Sequence, residues 1–314
     1  MYYAYYILLI SIFQEGDFVM SHTPLFKGIA TALITPLTPD GIDYELFGKL
    51  VEFQINDGID ALVVCGTTGE ASTLTDEEHR DAIAFVVKQT AGRVPVIAGT
   101  GSNDTAYAIE LSKHAKEAGA DGLLLVTPYY NKATQKGLIR MYTEITDAVD
   151  LPAILYNVPS RTGCNILPKT YRELAENPRI VAAKEASGNI SAVAETIQLC
   201  GDKLDIYSGN DDQIVPIMSL GGIGGISVLS NLIPGMTSKM AHLYLEGKVK
   251  ESAALQLRYI PLINALFCEV NPIPVKAAMA KMGYCGDYIR SPLTNMEEAN
   301  AQRLYALMKD EGII

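Results

Sequence analysis

Eight short apolar runs, rich in β-branched residues and separated by amphipathic stretches, constrain this chain more than any other feature. They fall at 29–33, 61–64, 94–98, 122–126, 153–155, 180–183, 204–207 and 225–228. Near-continuous apolar strands belong to parallel sheets whose two faces are covered by helices. A spacing of roughly 20 to 35 residues leaves room for one crossover helix in each interval. Eight such units within about 200 residues predict an α/β fold, a (β/α)8 TIM barrel.

The stretches between the runs carry helix signals. Thr75-Asp76-Glu77-Glu78 is a capping box, followed by Ala82, Ile83, Phe85, Val86 and Val87 on an apolar face. Asn103 or Asp104 can cap the next helix, which stops at Gly119. A third is predicted over 134–149. Asp211 and Asp212 follow the seventh run and read as capping acids. After Val228 the strand signal ends, and helices are predicted over 236–245, 250–267, 274–282 and 295–309. Asn271-Pro272-Ile273-Pro274 reads as a breaker between two of them. The expected organisation is a barrel over 23–233 and a C-terminal helical domain over 234–314. Residues 1–22 read as an N-terminal extension, disordered or a start-site artefact. Their apolar stretch is too short to span a bilayer, and no basic residue precedes it.

A net charge of −11 argues against a nucleic-acid surface, and no membrane partner is expected. Cys65, Cys164, Cys200, Cys268 and Cys285 form no C-x-x-C pair, which fits reduced thiols in a cytoplasmic protein without a zinc framework. His22, His79, His114 and His242 lie far apart. Gly99-Thr100-Gly101 lacks the third glycine of a dinucleotide fingerprint, and Gly221-Gly222-Ile223-Gly224 leads to no Gly-Lys-Ser/Thr.

In a barrel, chemistry sits where strands end. The sixth run ends on Lys184. A lysine there ordinarily lays its stem on protein and its head in water; a buried one has its pKa lowered by desolvation and becomes a nucleophile near neutral pH. The second run ends on Gly66-Thr67-Thr68-Gly69-Glu70, whose glycines permit a tight turn and whose Thr67 and Thr68 amides can hold a carboxylate. Tyr129 and Tyr130 follow the fourth run; paired tyrosines more often pack at interfaces or in cores. The fifth run is followed by Tyr156-Asn157-Val158-Pro159-Ser160-Arg161-Thr162-Gly163. Tyr156, opposite a lysine at the next strand end, is a proton donor and acceptor, and Arg161 suits a carboxylate through a bidentate fork. Tyr207-Ser208-Gly209-Asn210 follows the seventh.

Three of these motifs, the third being Ala183-Lys184-Glu185-Ala186-Ser187-Gly188, stand in the order and spacing of one family. Over about residues 25–312 the chain closely resembles the dihydrodipicolinate synthases, in the superfamily of pyruvate-dependent class I aldolases that includes N-acetylneuraminate lyase. The resemblance implies a lyase that condenses pyruvate with L-aspartate-4-semialdehyde through a Schiff base, the committed step toward diaminopimelate and lysine, with no cofactor. It implies Lys184 as nucleophile, Tyr156 as proton shuttle, and Thr67 as relay to a Tyr130 from the neighbouring subunit. Thr68 would bind pyruvate's carboxylate and Arg161 the aldehyde's, with Gly209 and Ile226 offering backbone carbonyls. It further implies a homo-oligomer, a tetramer built as a dimer of dimers. His79, Asn103 and Tyr129 match the family's lysine effector site. Lysine-sensitive members carry a glutamate where Tyr107 stands, so weak feedback is expected. The competing expectations are an aldolase acting on 2-keto-3-deoxy sugar acids or neuraminate, and a pyruvate-binding barrel without turnover.

Overall fold

The computed structural model describes residues 23–314; the expected extension, with His22, lies outside the described residues. Eight parallel strands close into a barrel: β1 (Gly28–Ala32), β2 (Ala61–Val64), β3 (Val96–Gly99), β4 (Gly122–Val126), β5 (Ala153–Asn157), β6 (Ile180–Glu185), β7 (Asp205–Ser208) and β8 (Gly224–Ser227). Each pairs with its sequence neighbours, and β1 closes onto β8 through Gly28↔Gly224 to Thr31↔Ser227. The expected barrel is thus the fold.

Alternation along the strands sorts the core into two shells. Ala30, Val63, Ile97, Leu124, Ile154, Ala182 and Ile226 pack inside the barrel. Their neighbours Leu62, Val64, Leu155, Ala183 and Ile206 face the helices. Two strands run two residues further than their apolar runs. β5 continues through Tyr156-Asn157 and β6 through Lys184-Glu185. The ladder persists there while the side chains become polar: Tyr156 and Lys184 face the barrel interior, and Asn157 and Glu185 face out toward Tyr171.

Outside lie α1 (Tyr44–Asn56), α2 (Asp76–Thr90), α3 (Thr105–Ala118), α4 (Gln135–Ala148), α5 (Pro168–Leu174), α6 (Ile190–Cys200) and α7 (Ile214–Met218). The capping box at Thr75 is complete, and Glu78 returns its carboxylate to the Thr75 amide. Asp104 rather than Asn103 caps α3, which ends on a left-handed Gly119. The reading of Asp211 as a cap of its own helix is corrected. Its Oδ2 accepts from the amides of Val228 and Leu229 at 3.0 and 2.9 Å, tying the loop after β7 to the end of β8. The C-terminal segment forms α8 (Pro234–Leu245), α9 (Val249–Leu266), α10 (Ile273–Met282) and α11 (Glu298–Asp310). The outer apolar shell continues into it without a break through Leu262, Met279 and Leu304. Among the described residues no helix is long and apolar enough to cross a membrane.

Candidate active site

Lys184 and Tyr156 are register partners on β6 and β5. Side chains at paired positions of parallel strands share a face, and this face is the barrel interior. Lys184 is 6% exposed, and its Nζ stands 4.2 Å from the centroid of the Tyr156 ring. The lysine stem lies against Gly209: a Cβ there would come within 3.1 Å of Lys184 Cγ and 2.7 Å of the Ala186 methyl. A side chain at 209 would clash with the Ala186 methyl and crowd the lysine stem. Behind the catalytic face, the next residues on the same strands pair outward. Asn157 Nδ2 donates to both carboxylate oxygens of Glu185 at 3.1 Å, and Tyr171 donates to the same carboxylate at 3.2 Å. Burial and this carboxylate hold the Tyr171 phenol well above its ordinary pKa. The strand ends bearing Tyr156 and Lys184 are therefore stitched together from the far side.

The cavity beside them measures about 410 Å3 and is lined by Thr67, Tyr156, Arg161, His79, Tyr129 and Tyr107, among others. Thr67 comes from a tight turn after β2, closed by Gly69 N to Gly66 O and Glu70 N to Thr67 O, both 3.1 Å. The Thr67 and Thr68 amides have no backbone acceptor among the described residues. Successive amides left without a backbone acceptor in a tight turn are the kind of donor set that binds anions. Thr68 is buried, and its hydroxyl accepts from Asn271 Nδ2 at 3.1 Å. Arg161 lies in a short helical turn, Pro159–Thr162, and reaches the carbonyl of Asn271 through Nη2 at 3.4 Å. Ile226 is buried among the interior residues of β8.

Of the predicted site residues, Thr67, Tyr156, Arg161, His79 and Tyr129 line the cavity, whereas Lys184, Thr68, Gly209, Ile226 and Asn103 lie outside its lining. Tyr130 stands apart on the surface. It is 92% exposed, with a left-handed φ of 70°, and it does not line the cavity. The expected effector residues do gather. His79 is buried, donates through Nε2 to Gly99 O at 2.8 Å, and has its pKa lowered by burial. Asn103 donates to the Tyr129 carbonyl at 3.2 Å. Tyr107 donates to Asp76 at 3.0 Å; burial, then that hydrogen bond, pushes its phenol up to about 12.

Sequence reasoning assigned no role to Asn271 or Lys276. Asn271 lay in a string of breakers. A lone lysine among Val275, Ala278 and Met279 was a usable signal, because a charge on an apolar helical face needs a buried partner.

The model of the "Dihydrodipicolinate synthetase family" matches residues 25–311. The chain is 57% identical over 291 residues to the 4-hydroxy-tetrahydrodipicolinate synthase of Caldicellulosiruptor saccharolyticus, covering 92% of this chain and 98% of that one. Among solved structures, dihydrodipicolinate synthase from Acinetobacter baumannii, complexed with pyruvate, matches with a TM-score of 0.90 at 44% identity, covering 92% of this chain and 99% of that one. The enzyme from Cyanidioschyzon merolae with lysine bound matches with a TM-score of 0.90 at 40% identity, covering 93% and 100%.

Proposed function

The chain belongs to the dihydrodipicolinate synthetase family, and from that premise we propose how its residues condense pyruvate with L-aspartate-4-semialdehyde to 4-hydroxy-tetrahydrodipicolinate. The Lys184 amine attacks the ketone of pyruvate, and water leaves as the Schiff base forms. The iminium draws electrons from the methyl group, a proton departs, and the resulting enamine attacks the aldehyde carbon. The semialdehyde's own amine then closes the ring on the imine carbon and releases Lys184.

Tyr156 carries the protons to and from the carbinolamine and the alkoxide. Its ring lies against the Lys184 amine, within reach of the atoms that change protonation. Thr67 relays protons between Tyr156 and Tyr130 of a second copy. The Thr67 and Thr68 amides and the Thr68 hydroxyl hold pyruvate's carboxylate. Arg161, at the exposed edge of the cavity, takes the carboxylate of the semialdehyde. Gly209 and Ile226 contribute backbone carbonyls. A homo-oligomer, a tetramer assembled as a dimer of dimers, is the working assembly, supported by the outward, left-handed presentation of Tyr130. The five free thiols fit a cytoplasmic enzyme. His79 and Tyr129 on the cavity wall, with Asn103 bonded to the Tyr129 carbonyl, form an effector site.

The observation that carries the reading is the buried Lys184 amine over the ring of Tyr156, itself part of the wall of a cavity that Arg161 also lines. The test is turnover of pyruvate with aspartate semialdehyde, run beside pyruvate with N-acetylmannosamine. Product from the first pair and none from the second is expected. Preference for the sugar would move the chain to the neuraminate branch.

A further inference from the structure

We propose that the buried ion pair between Glu70 and Lys276 positions the Thr67-Thr68 turn, so that the C-terminal helices set the affinity of a pyruvate site built on barrel loops. This rests on the reading that the turn holds pyruvate's carboxylate.

The two side chains are 1% and 3% exposed. Lys276 Nζ donates to Glu70 Oε1 at 2.5 Å and to the Tyr288 carbonyl at 2.8 Å, and Glu70 Oε2 accepts from the Arg290 amide at 3.2 Å. A buried charge pair is a poor device for stability alone, since apolar residues of like volume serve as well or better. Such a pair does fix relative position, because each charge tolerates few arrangements of its partner.

The backbone of Glu70 points the same way. It stands at φ 55°, ψ 32°, a conformation that glycine enters freely and glutamate does not. The chain accepts that strain at the residue whose amide closes the turn on the Thr67 carbonyl at 3.1 Å. Moving the Glu70 carboxylate therefore moves Thr67. The same C-terminal segment touches the turn a second time, where Asn271 Nδ2 meets the Thr68 hydroxyl at 3.1 Å. Lys276 and Glu70 thus act through the turn as positioning residues and do not touch substrate themselves.

The test compares Thr68→Val, Glu70→Gln and the double variant Glu70→Gln/Lys276→Met with wild type. Thermal midpoint, kcat and both KM values are measured, with the pyruvate concentration that half-saturates borohydride trapping of Lys184. The double variant leaves no buried charge uncompensated, so its midpoint is expected near wild type. Its pyruvate KM and trapping midpoint are expected to rise about tenfold, close to the worth of one neutral hydrogen bond, with the aldehyde KM unchanged. A folded double variant with wild-type pyruvate KM overturns the proposal. So does an equal rise in both KM values, which marks general loosening. If the double variant does not fold, the isosteric Glu70→Gln decides: an unchanged pyruvate KM in it overturns the proposal. If Thr68→Val leaves pyruvate KM unchanged, it is the reading of the turn that fails.

Discussion

Lys184 Nζ and the Tyr156 ring centroid are 4.2 Å apart, on residues that are register partners across β5 and β6. The ladder of a closed barrel sets their backbones side by side on one face, and both side chains are buried there. Orientation of this kind is where much of the rate advantage of a bound reaction arises.

Lys184→Ala abolishes covalent trapping by pyruvate and borohydride while the fold is kept, since an alanine at that position leaves β6 intact. Mass spectrometry of the reduced protein reads it. A pyruvate adduct on the variant would mean that another lysine is the nucleophile.

Arg161→Ala lowers kcat/KM for the aldehyde by about one to two decades, the loss of one charge-assisted hydrogen bond. Pyruvate binding changes little, because the turn proposed to hold pyruvate follows β2, whereas Arg161 follows β5. Steady-state kinetics with each substrate varied in turn check the split. An equal loss for pyruvate places Arg161 on the other carboxylate.

Tyr130→Phe lowers activity although the residue lies outside its own chain's cavity. Mixed with Lys184→Ala under conditions of subunit exchange, it regains part of the turnover, because one hybrid site then holds both intact groups. Absence of recovery from verified mixed dimers counts against a shared site.

Lysine in the millimolar range inhibits weakly. Tyr107 offers a neutral phenol, and the nearest acid, Asp76, is already bonded to Tyr107 and paired with Arg80 at 3.0 Å. An ammonium group that leaves water without a free carboxylate loses about one to two decades of affinity. Initial rates at pyruvate near its KM, titrated with lysine, decide it; strong inhibition well below that range refutes the Tyr107 argument.

Glu78 links the capping box to acid stability. Its hydrogen bonds to Arg290 lower its pKa from 4.5 to about 2. A carboxyl whose folded pKa is depressed contributes stability above its unfolded pKa and loses it as pH falls toward the folded value. The difference in Tm between wild type and Glu78→Gln is therefore full at pH ~6 and shrinks from about pH 4.5 downward. A difference constant across that range would assign the stability to something other than this charge.

The barrel was legible because burial on both faces leaves unbroken apolar runs, and Lys184 because charge interrupts such a run where a strand ends. The helix caps were legible because they act within four residues. Asn271 and Lys276 were not, since their partners Thr68 and Glu70 lie 203 and 206 residues away in sequence. No local period records such a pairing. Asp211 misled for the same reason: its acceptor role is toward β8, not toward the helix it begins.

Lys184 and Tyr156 stand on two strands of a closed cylinder, whereas Arg161 stands on a four-residue turn that follows one of them. A closed sheet has no edge along which to slip, and a one-residue shift would turn Lys184 away from the interior. The turn carries no such constraint. On the proposed roles, the nucleophile is thus fixed by the cylinder itself, while the group that would choose the aldehyde hangs on a segment, residues 159–163, that can be altered without disturbing the ladder.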